Sequence, residues 1–360
     1  ASFTQSIIMG VSCSDDLNCF LAGGDNGVGA DIMRTTDGGK TFESVPIGPS
    51  MMLMDVSMSS PVSAVAAGLG LLSSGIQYFN ATGFTNSSVP NIALAQVQDS
   101  EIIGSNEGFA VTGAFTFTNS NVSINGVALS SDDGASFSFS NINNDQNNAA
   151  RYSSFPTTSV GFVSSGSWPS SKSAKKYGTY VSRNIHMHHN AVKKEAFIHL
   201  ETERDEEEQV DESGWIGSIY RSTDGFETWQ QVYTNSTFYF NQITCPSVKV
   251  CFAVAENDNA GFAYRTLDGG DSWEEILVAQ GVSMMSAKAL NEQEVYLGGG
   301  SLSQSGIGGK IYYSNDSGNT FTETDLNGYY LTSFAFPDAK HGFATAMNME
   351  QTCNVLIYTA

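Results

Sequence analysis

Five eight-residue stretches of this chain are near copies of one another, and they restrict its fold more than any other feature. The first is Thr35-Thr36-Asp37-Gly38-Gly39-Lys40-Thr41-Phe42. It returns at Ser130 to Phe137, Ser222 to Trp229, Thr266 to Trp273 and Ser314 to Phe321, with Asp132, Asp224, Asp268 and Asp316 at its third position. An alternating apolar run precedes each copy, as in Ala30-Asp31-Ile32-Met33-Arg34, and a short polar–apolar run follows. Strand, Asp/Gly turn, strand is the signature of a β-hairpin. Recurrence about every 45 residues marks a repeat architecture.

The chemistry of the turn accounts for its residues. The aspartate accepts hydrogen bonds from N–H groups of its own turn, and glycine supplies a backbone conformation with positive φ. The closing Trp or Phe offers apolar surface to a neighbouring repeat. Catalysis or calcium binding is the alternative reading of these aspartates, but a turn role explains every residue type in the pattern. The pattern S/T-x-D-x-G-x-S/T-W/F resembles the Asp-box, or BNR repeat. That resemblance implies a β-propeller. It is loose about function, because such propellers include sialidases, other glycoside hydrolases, sorting receptors and photosystem II assembly factors.

A second pattern counts the repeats independently. Val11 to Ala22 aligns without a gap on Ile243 to Val254, with Cys13 and Cys19 over Cys245 and Cys251. Phe334 to Ala344 aligns too, with Phe336 and Gly342 in place of the cysteines. Weaker copies centre on Ser63-Ala64, Gly108-Phe109, Gly161-Phe162 and Val295-Tyr296. Asn80-Ala81-Thr82-Gly83-Phe84-Thr85 reads as a decayed turn with Ala81 at the Asp position. The last copy runs through Asn354-Val355-Leu356-Ile357-Tyr358 and lacks a fourth strand, which Ser2-Phe3-Thr4-Gln5 can supply. Pairing the two ends removes the edges that a linear array leaves open. The reading is therefore an all-β, single-domain, seven-bladed propeller over 1–360, closed by its terminal strands. The step from Phe162 to Phe252 is double the usual one, which keeps eight blades as an alternative. An insertion at 168–215, between the second and third strands of the fourth blade, is preferred. That window holds Lys172, Lys175, Lys176, Lys193 and Lys194, half of the ten lysines, four of the five histidines and the acidic run Glu201 to Glu212.

Composition narrows partner and compartment. A formal charge of −21 argues against nucleic acid and anionic membranes. No apolar run is long enough to span a bilayer. Cys13/Cys19 and Cys245/Cys251 share their spacing and their place in the repeat, so two local disulfides are expected, with buried thiols as the alternative. Disulfides imply an oxidising compartment, secreted or in an organelle lumen. Cys353 is left over. Sequons at Asn80, Asn86, Asn121, Asn235 and Asn315 are glycosylation candidates if the chain is secreted by a eukaryote, although a chain so rich in Asn, Ser and Thr carries sequons by chance. A start at Ala1 without Met suits a processed N-terminus.

Propeller geometry puts the cysteine turns and Asp-boxes on one face and the 168–215 segment on the other, with the loops Gly23 to Ala30, Glu256 to Gly261 and Gly298 to Gly309. Loops carry function more often than scaffold, so the insertion face is the expected binding face, with Trp168, Tyr177, Arg183, His186, His188, His189 and Trp215 as its candidates. His186 and His188 share one side of an extended strand, and with His199 they form a weak metal candidate; a polar exposed hairpin is the plainer reading. No cofactor is expected. A sialidase resemblance would require an arginine triad, but Arg34, Arg221 and Arg265 each sit just before an Asp-box. A paired-carboxylate glycosidase remains an alternative. Similarity to photosystem II assembly factors in blade number, box spacing and the Gly-Phe-x-Ala strand implies a non-enzymatic binding platform. The expected function is accordingly a non-catalytic binding scaffold for a protein or glycan, within a larger assembly.

Overall fold

The computed structural model describes residues 2–3, 6–25, 29–50, 52–71, 75–89, 92–118, 123–145, 147–167, 214–303, 306–348 and 353–359 of the 360-residue chain. These residues form antiparallel strands and no helix. The strands fall into seven four-stranded units, or blades. The first strands of the blades are Ser6–Cys13, Met52–Ser60, Ile92–Ile103, Ala149–Ser154, Tyr239–Thr244, Ser283–Ala289 and Tyr330–Ala335. Each of these packs beside the next, and Tyr330–Ala335 packs beside Ser6–Cys13, so they close a ring around a central channel. The chain is a β-propeller, and the described residues make seven blades.

The two sequence patterns mark strand ends. All seven second strands begin where the second pattern places them, at Cys19, Ser63, Gly108, Gly161, Cys251, Val295 and Gly342. Five third strands end on the first residue of the repeated turn, at Thr35, Ser130, Ser222, Thr266 and Ser314. The aromatic residue closing each turn enters the interface with the preceding blade: Phe42, Phe137, Trp229, Trp273 and Phe321. Phe137 is buried there and the other four are half-buried, so each of those four contributes less than the about 1.5–3 kcal/mol of a fully buried large side chain. Both expected disulfides are present, Cys13–Cys19 and Cys245–Cys251, each with Cα atoms 4.1 Å apart across a first-to-second-strand turn.

The N-terminal strand Ser2–Phe3 completes the seventh blade, pairing with Val355 and Asn354 of its third strand, Cys353–Thr359. Blades two and three depart from the regular plan. Leu69 to Leu71, at the end of the second strand Ser63–Leu71, pair with Leu94 to Gln96 of the next blade's first strand. The third strand of blade two, Ile76–Phe79, extends only to the Ile76–Ala67 pair, which leaves that side of Leu69 to Leu71 unoccupied. Blade three fills it, and the two blades become one eight-stranded sheet.

Candidate functional site

At one end of the propeller lie the first-to-second and third-to-fourth connections, including all the repeated turns. In the first of these turns Asp37 Oδ1 accepts from Thr41 N (2.9 Å), Lys40 N (3.0 Å) and Thr35 Oγ1 (2.9 Å), while Oδ2 accepts from Thr41 Oγ1 (2.6 Å). Thr35 Oγ1 in turn accepts from Gly39 N (2.8 Å). All but the Lys40 bond recur around Asp132, Asp224, Asp268 and Asp316. Hydroxyl donors first, and N–H donors next, push Asp37, Asp224, Asp268 and Asp316 down to about 2. The aspartates are spent on their own turns. The fifth turn position has positive φ throughout, at 82° for Gly39, 83° for Gly134, 91° for Gly270 and 81° for Gly318. Blade four places Phe226 there at 70°, a strained conformation for a bulky residue. Phe226 is buried against Phe155 and Trp229, which holds it in place. In blade two the decayed turn puts Ala81 at φ 73°, and Asn80 Oδ1 takes over as acceptor from Thr82.

Arginine placement follows the repeat. Arg221 Nη1 donates to Gly269 O (2.7 Å) in the next blade's turn and pairs with Asp271 (2.7 Å). Arg265 Nη1 donates to Ser317 O (2.5 Å), and Arg34 Nη2 to Pro61 O (3.2 Å). All three tie one blade to its successor, so none is available to a convergent carboxylate clamp. Between blades two and three this end has a polar pocket of 70 Å³ lined by Ser59, Asn106, Glu107 and Asp133 among others. Sites for drug-sized ligands start at about 300 Å³, so it has room for water only.

The channel holds an arrangement that no sequence pattern announced. Each first strand carries a register shift against its second strand at an equivalent position, leaving an extra residue there: Met9, Met54, Gln98, Arg151, Asn241, Met285 and Thr332. A bulge re-aims a side chain and sharpens local twist. Met9, Met54 and Met285 come from blades one, two and six, yet they form one buried cluster with Tyr330 and Met347 of blade seven. Residues so far apart around the ring meet only near its axis. On the opposite arc, Arg151 Nη2 donates to Asn241 Oδ1 (2.9 Å), and Asn241 Nδ2 donates to Met284 O (2.7 Å). The channel is plugged by these side chains.

In three blades the residue after the bulge reaches the neighbouring blade. Asp55 Oδ2 accepts from Ser100 N (3.1 Å) and Oγ (3.0 Å), and Asp99 Oδ2 from Ser153 N (2.8 Å) and Oγ (2.6 Å). Gln242 Oε1 does the same for Ala287 N (2.7 Å). Two positions further along, hydroxyls of Ser12, Ser154 and Thr244 accept from Met58 N, Cys245 N and Ala289 N. These clasps explain the buried carboxylates. Burial pushes Asp55 up to about 7, with the nearby Glu101 charge adding to it. Asp99 is raised well above the carboxylate range by burial and then by Asp55 and Glu101. Glu256 is fully buried and accepts from the Tyr239 and Ser283 hydroxyls, while Ser283 Oγ lies 2.6 Å from Tyr330 Oη.

The other end carries the second-to-third connections. Ser167 and Ile216 are register partners, as are the following residues to the Gly161–Ser222 pair. The 168–215 segment therefore leaves and returns at one point on this rim. Trp215 is not a surface anchor: it is 3% exposed and stacks on Tyr239, with centroids 5.6 Å apart and planes 4° apart. The Arg151 guanidinium also lies over the Tyr239 ring, 4.7 Å from its centroid. The root of the segment is thus coupled to the channel. Trp168, Tyr177, Arg183, His186, His188, His189 and His199 lie outside the described residues. Among the described residues no group of three or more His, Cys, Asp or Glu side chains lies close enough to hold a metal ion. No described helix is long and apolar enough to cross a membrane. Of the sequons, Asn80, Asn86 and Asn315 are exposed and Asn235 is half-buried; Asn121 lies outside the described residues.

No protein-family model and no curated protein matches the chain. Solved structures do. YCF48 bound to D1 peptide is 13% identical over all of this chain and 96% of that one, with a TM-score of 0.58. Hydrazine synthase of Kuenenia stuttgartiensis is 7% identical over 100% and 97%, with a TM-score of 0.62. The GH74 xyloglucanase from Xanthomonas campestris is 10% identical over 94% of this chain and 50% of that one, with a TM-score of 0.52. At such identities the likeness concerns the fold. The chain shares the propeller with proteins that use it for quite different ends.

Proposed function

We propose that this chain is a non-catalytic binding scaffold of the Asp-box type, secreted or lumenal, which recognises a protein or glycan with its insertion-bearing end. On this reading residues 1–360 are a single propeller and 168–215 is an insertion in its fourth blade. The observation that carries the proposal is the root of that segment. A long, charge-rich stretch leaves the rim beside Ser167, returns beside Ile216, and is anchored by Trp215 on Tyr239. A rigid scaffold holding a long loop at one point is how propellers and other repeat folds present recognition surfaces.

Three further features agree. The described arginines of the turn end and the acids Asp55 and Asp99 are engaged between blades, which leaves them unavailable to sialidase or paired-carboxylate chemistry. The two disulfides suit an oxidising compartment. A similar fold, that of YCF48, has been solved with a peptide bound. The test replaces residues 170–212 by a short Gly/Ser linker and compares both proteins on a printed glycan array and a panel of extracellular proteins, with a glycosidase screen alongside. Loss of binding with an unchanged circular dichroism spectrum supports the reading. Binding retained without the segment refutes the site, and turnover of any glycoside refutes the non-catalytic assignment.

A further inference from the structure

Methionine is distributed unevenly in the core. Among the described residues six methionines are buried, and four of them, Met9, Met54, Met285 and Met347, meet in one cluster with Tyr330 and the half-buried Met52. Four consecutive blades around the ring, six, seven, one and two, each give one of these four. Every other buried cluster holds Leu, Ile, Val or Phe, and this one holds none. A plug needs only volume, which those side chains supply with better-defined rotamers. What methionine adds is a sulfur atom with lone pairs.

Two observations place the sulfurs on the channel. Asn241 Nδ2 donates to Met285 Sδ at 3.6 Å, so that sulfur turns toward the polar arc. The four methionines are 3–8% exposed, whereas Phe20, Phe109, Phe162 and Phe252 of the second strands are 0–1% exposed. The methionines therefore line the channel instead of lying beneath its wall. Tyr330 of the cluster shares a hydrogen bond with Ser283, which donates to the buried Glu256 carboxylate. A carboxylate two hydrogen bonds away offsets part of the cost of bringing a cation out of water.

We propose that this cluster is a binding site for one soft monovalent cation, Cu(I), held by the thioethers of Met9, Met54, Met285 and Met347. Uncharged sulfur ligands select Cu(I) over the harder ions that carboxylate and carbonyl oxygens take. The described His, Cys, Asp and Glu side chains form no metal centre, and none is required, because the donors are thioethers. Four donors make a closed shell of the kind structural metal sites have. Each comes from a different blade, so the bound ion ties together the sector in which the terminal strand closes the ring. The four donors lie outside the 168–215 segment.

The probe is silver(I) nitrate in chloride-free buffer at pH 5, followed by NMR of the full chain labelled with carbon-13 at its methionine methyls. Silver(I) is a soft monovalent ion that is not oxidised by air. At pH 5 ordinary imidazole is mostly protonated and does not compete, whereas a thioether has no proton to lose. Cys353, the cysteine outside the two disulfides, is replaced by Ser so that its thiol does not compete. One equivalent should shift the signals of Met9, Met54, Met285 and Met347, each assigned from its own replacement by Leu, and leave Met33 and Met58 unmoved. Met285→Leu keeps the volume and should weaken silver binding about tenfold or more. Silver should also raise the urea midpoint of the parent, because it binds the folded state. If a Leu variant does not fold, norleucine in place of every methionine keeps the shapes and removes the sulfurs; the silver-induced rise should then vanish. Shifts confined to other methionines, unchanged affinity in Met285→Leu, or an equal rise in the norleucine protein overturns the proposal.

Discussion

Replacing Asp55 by Asn should make this propeller more stable at alkaline pH and leave it nearly unchanged in mild acid. Asp55 is half-buried between blades, accepts two hydrogen bonds on Oδ2 from Ser100, and has its other oxygen against Gly10. Its folded-state pKa is about 7 against an ordinary 3.8 in the unfolded chain. The folded state thus binds the extra proton, and the associated stability is complete below pH 3.8 and lost as pH rises through 7. A difference of about three units at 1.36 kcal/mol each gives a loss of about 4 kcal/mol at high pH, of which roughly 2–3 kcal/mol falls between pH 5 and pH 8. Asn keeps an acceptor for Ser100 and carries no titrating proton. Urea midpoints at pH 5, 6, 7 and 8 for both proteins measure the effect, since the general repulsion of an acidic chain is nearly common to both and cancels in their difference. If the two curves run parallel, Asp55 does not hold a proton in the folded state and the argument fails.

The repeated turns predict the opposite limb. Asp37, Asp224, Asp268 and Asp316 have pKa values lowered to about 2, so the stability they give is present above pH 4 and disappears as pH falls toward 2; replacing all four by Asn should flatten acid unfolding followed by tryptophan fluorescence. Converting Cys245 and Cys251 to Ser opens a short loop and should cost about 2 kcal/mol, read as a fall in the urea midpoint that dithiothreitol reproduces in the parent protein. Trp215→Ala removes a buried ring stacked on Tyr239 and should cost about 3–5 kcal/mol. An exposed Trp215 would instead give a change below about 0.5 kcal/mol. Phe226→Gly should relieve backbone strain yet still destabilise, because the lost packing against Phe155 and Trp229 exceeds it; a net gain in midpoint would show that strain dominates.

Blade boundaries were legible because turn chemistry is local. An aspartate, two hydroxyls and a glycine must sit at fixed offsets to bond one another, so their spacing survives in the sequence. The paired cysteines were legible for the same reason. The channel was not. The bulge positions hold Met, Met, Gln, Arg, Asn, Met and Thr, which share a backbone irregularity and no side-chain chemistry. Asp55 and Asp99 look like ordinary strand residues until their partners, Ser100 and Ser153, arrive from neighbouring blades about 45 and 54 residues away. A tryptophan beside a long loop suits a binding role, which is what the sequence around Trp215 suggests. The stacked partner that buries it, Tyr239, starts the following blade and is invisible to local reasoning.

The pairing that joins blades two and three has a mechanical consequence. Among the described residues, six of the seven blade boundaries are held by side chains, clasps, packed rings and at most isolated backbone contacts such as the Ile103–Phe155 bridge, which allow one sheet to slip slightly against the next. The remaining boundary is crossed by backbone pairing from Leu94 to Gln96 and does not slip without breaking a ladder. The ring therefore has one stiff sector. In blade seven it also has a seam at which, among the described residues, two residue pairs hold the ring shut. Under tension applied at Ala1 and Ala360 the molecule should open like a clasped bracelet, with the seam parting first and the welded links of blades two and three uncoiling last.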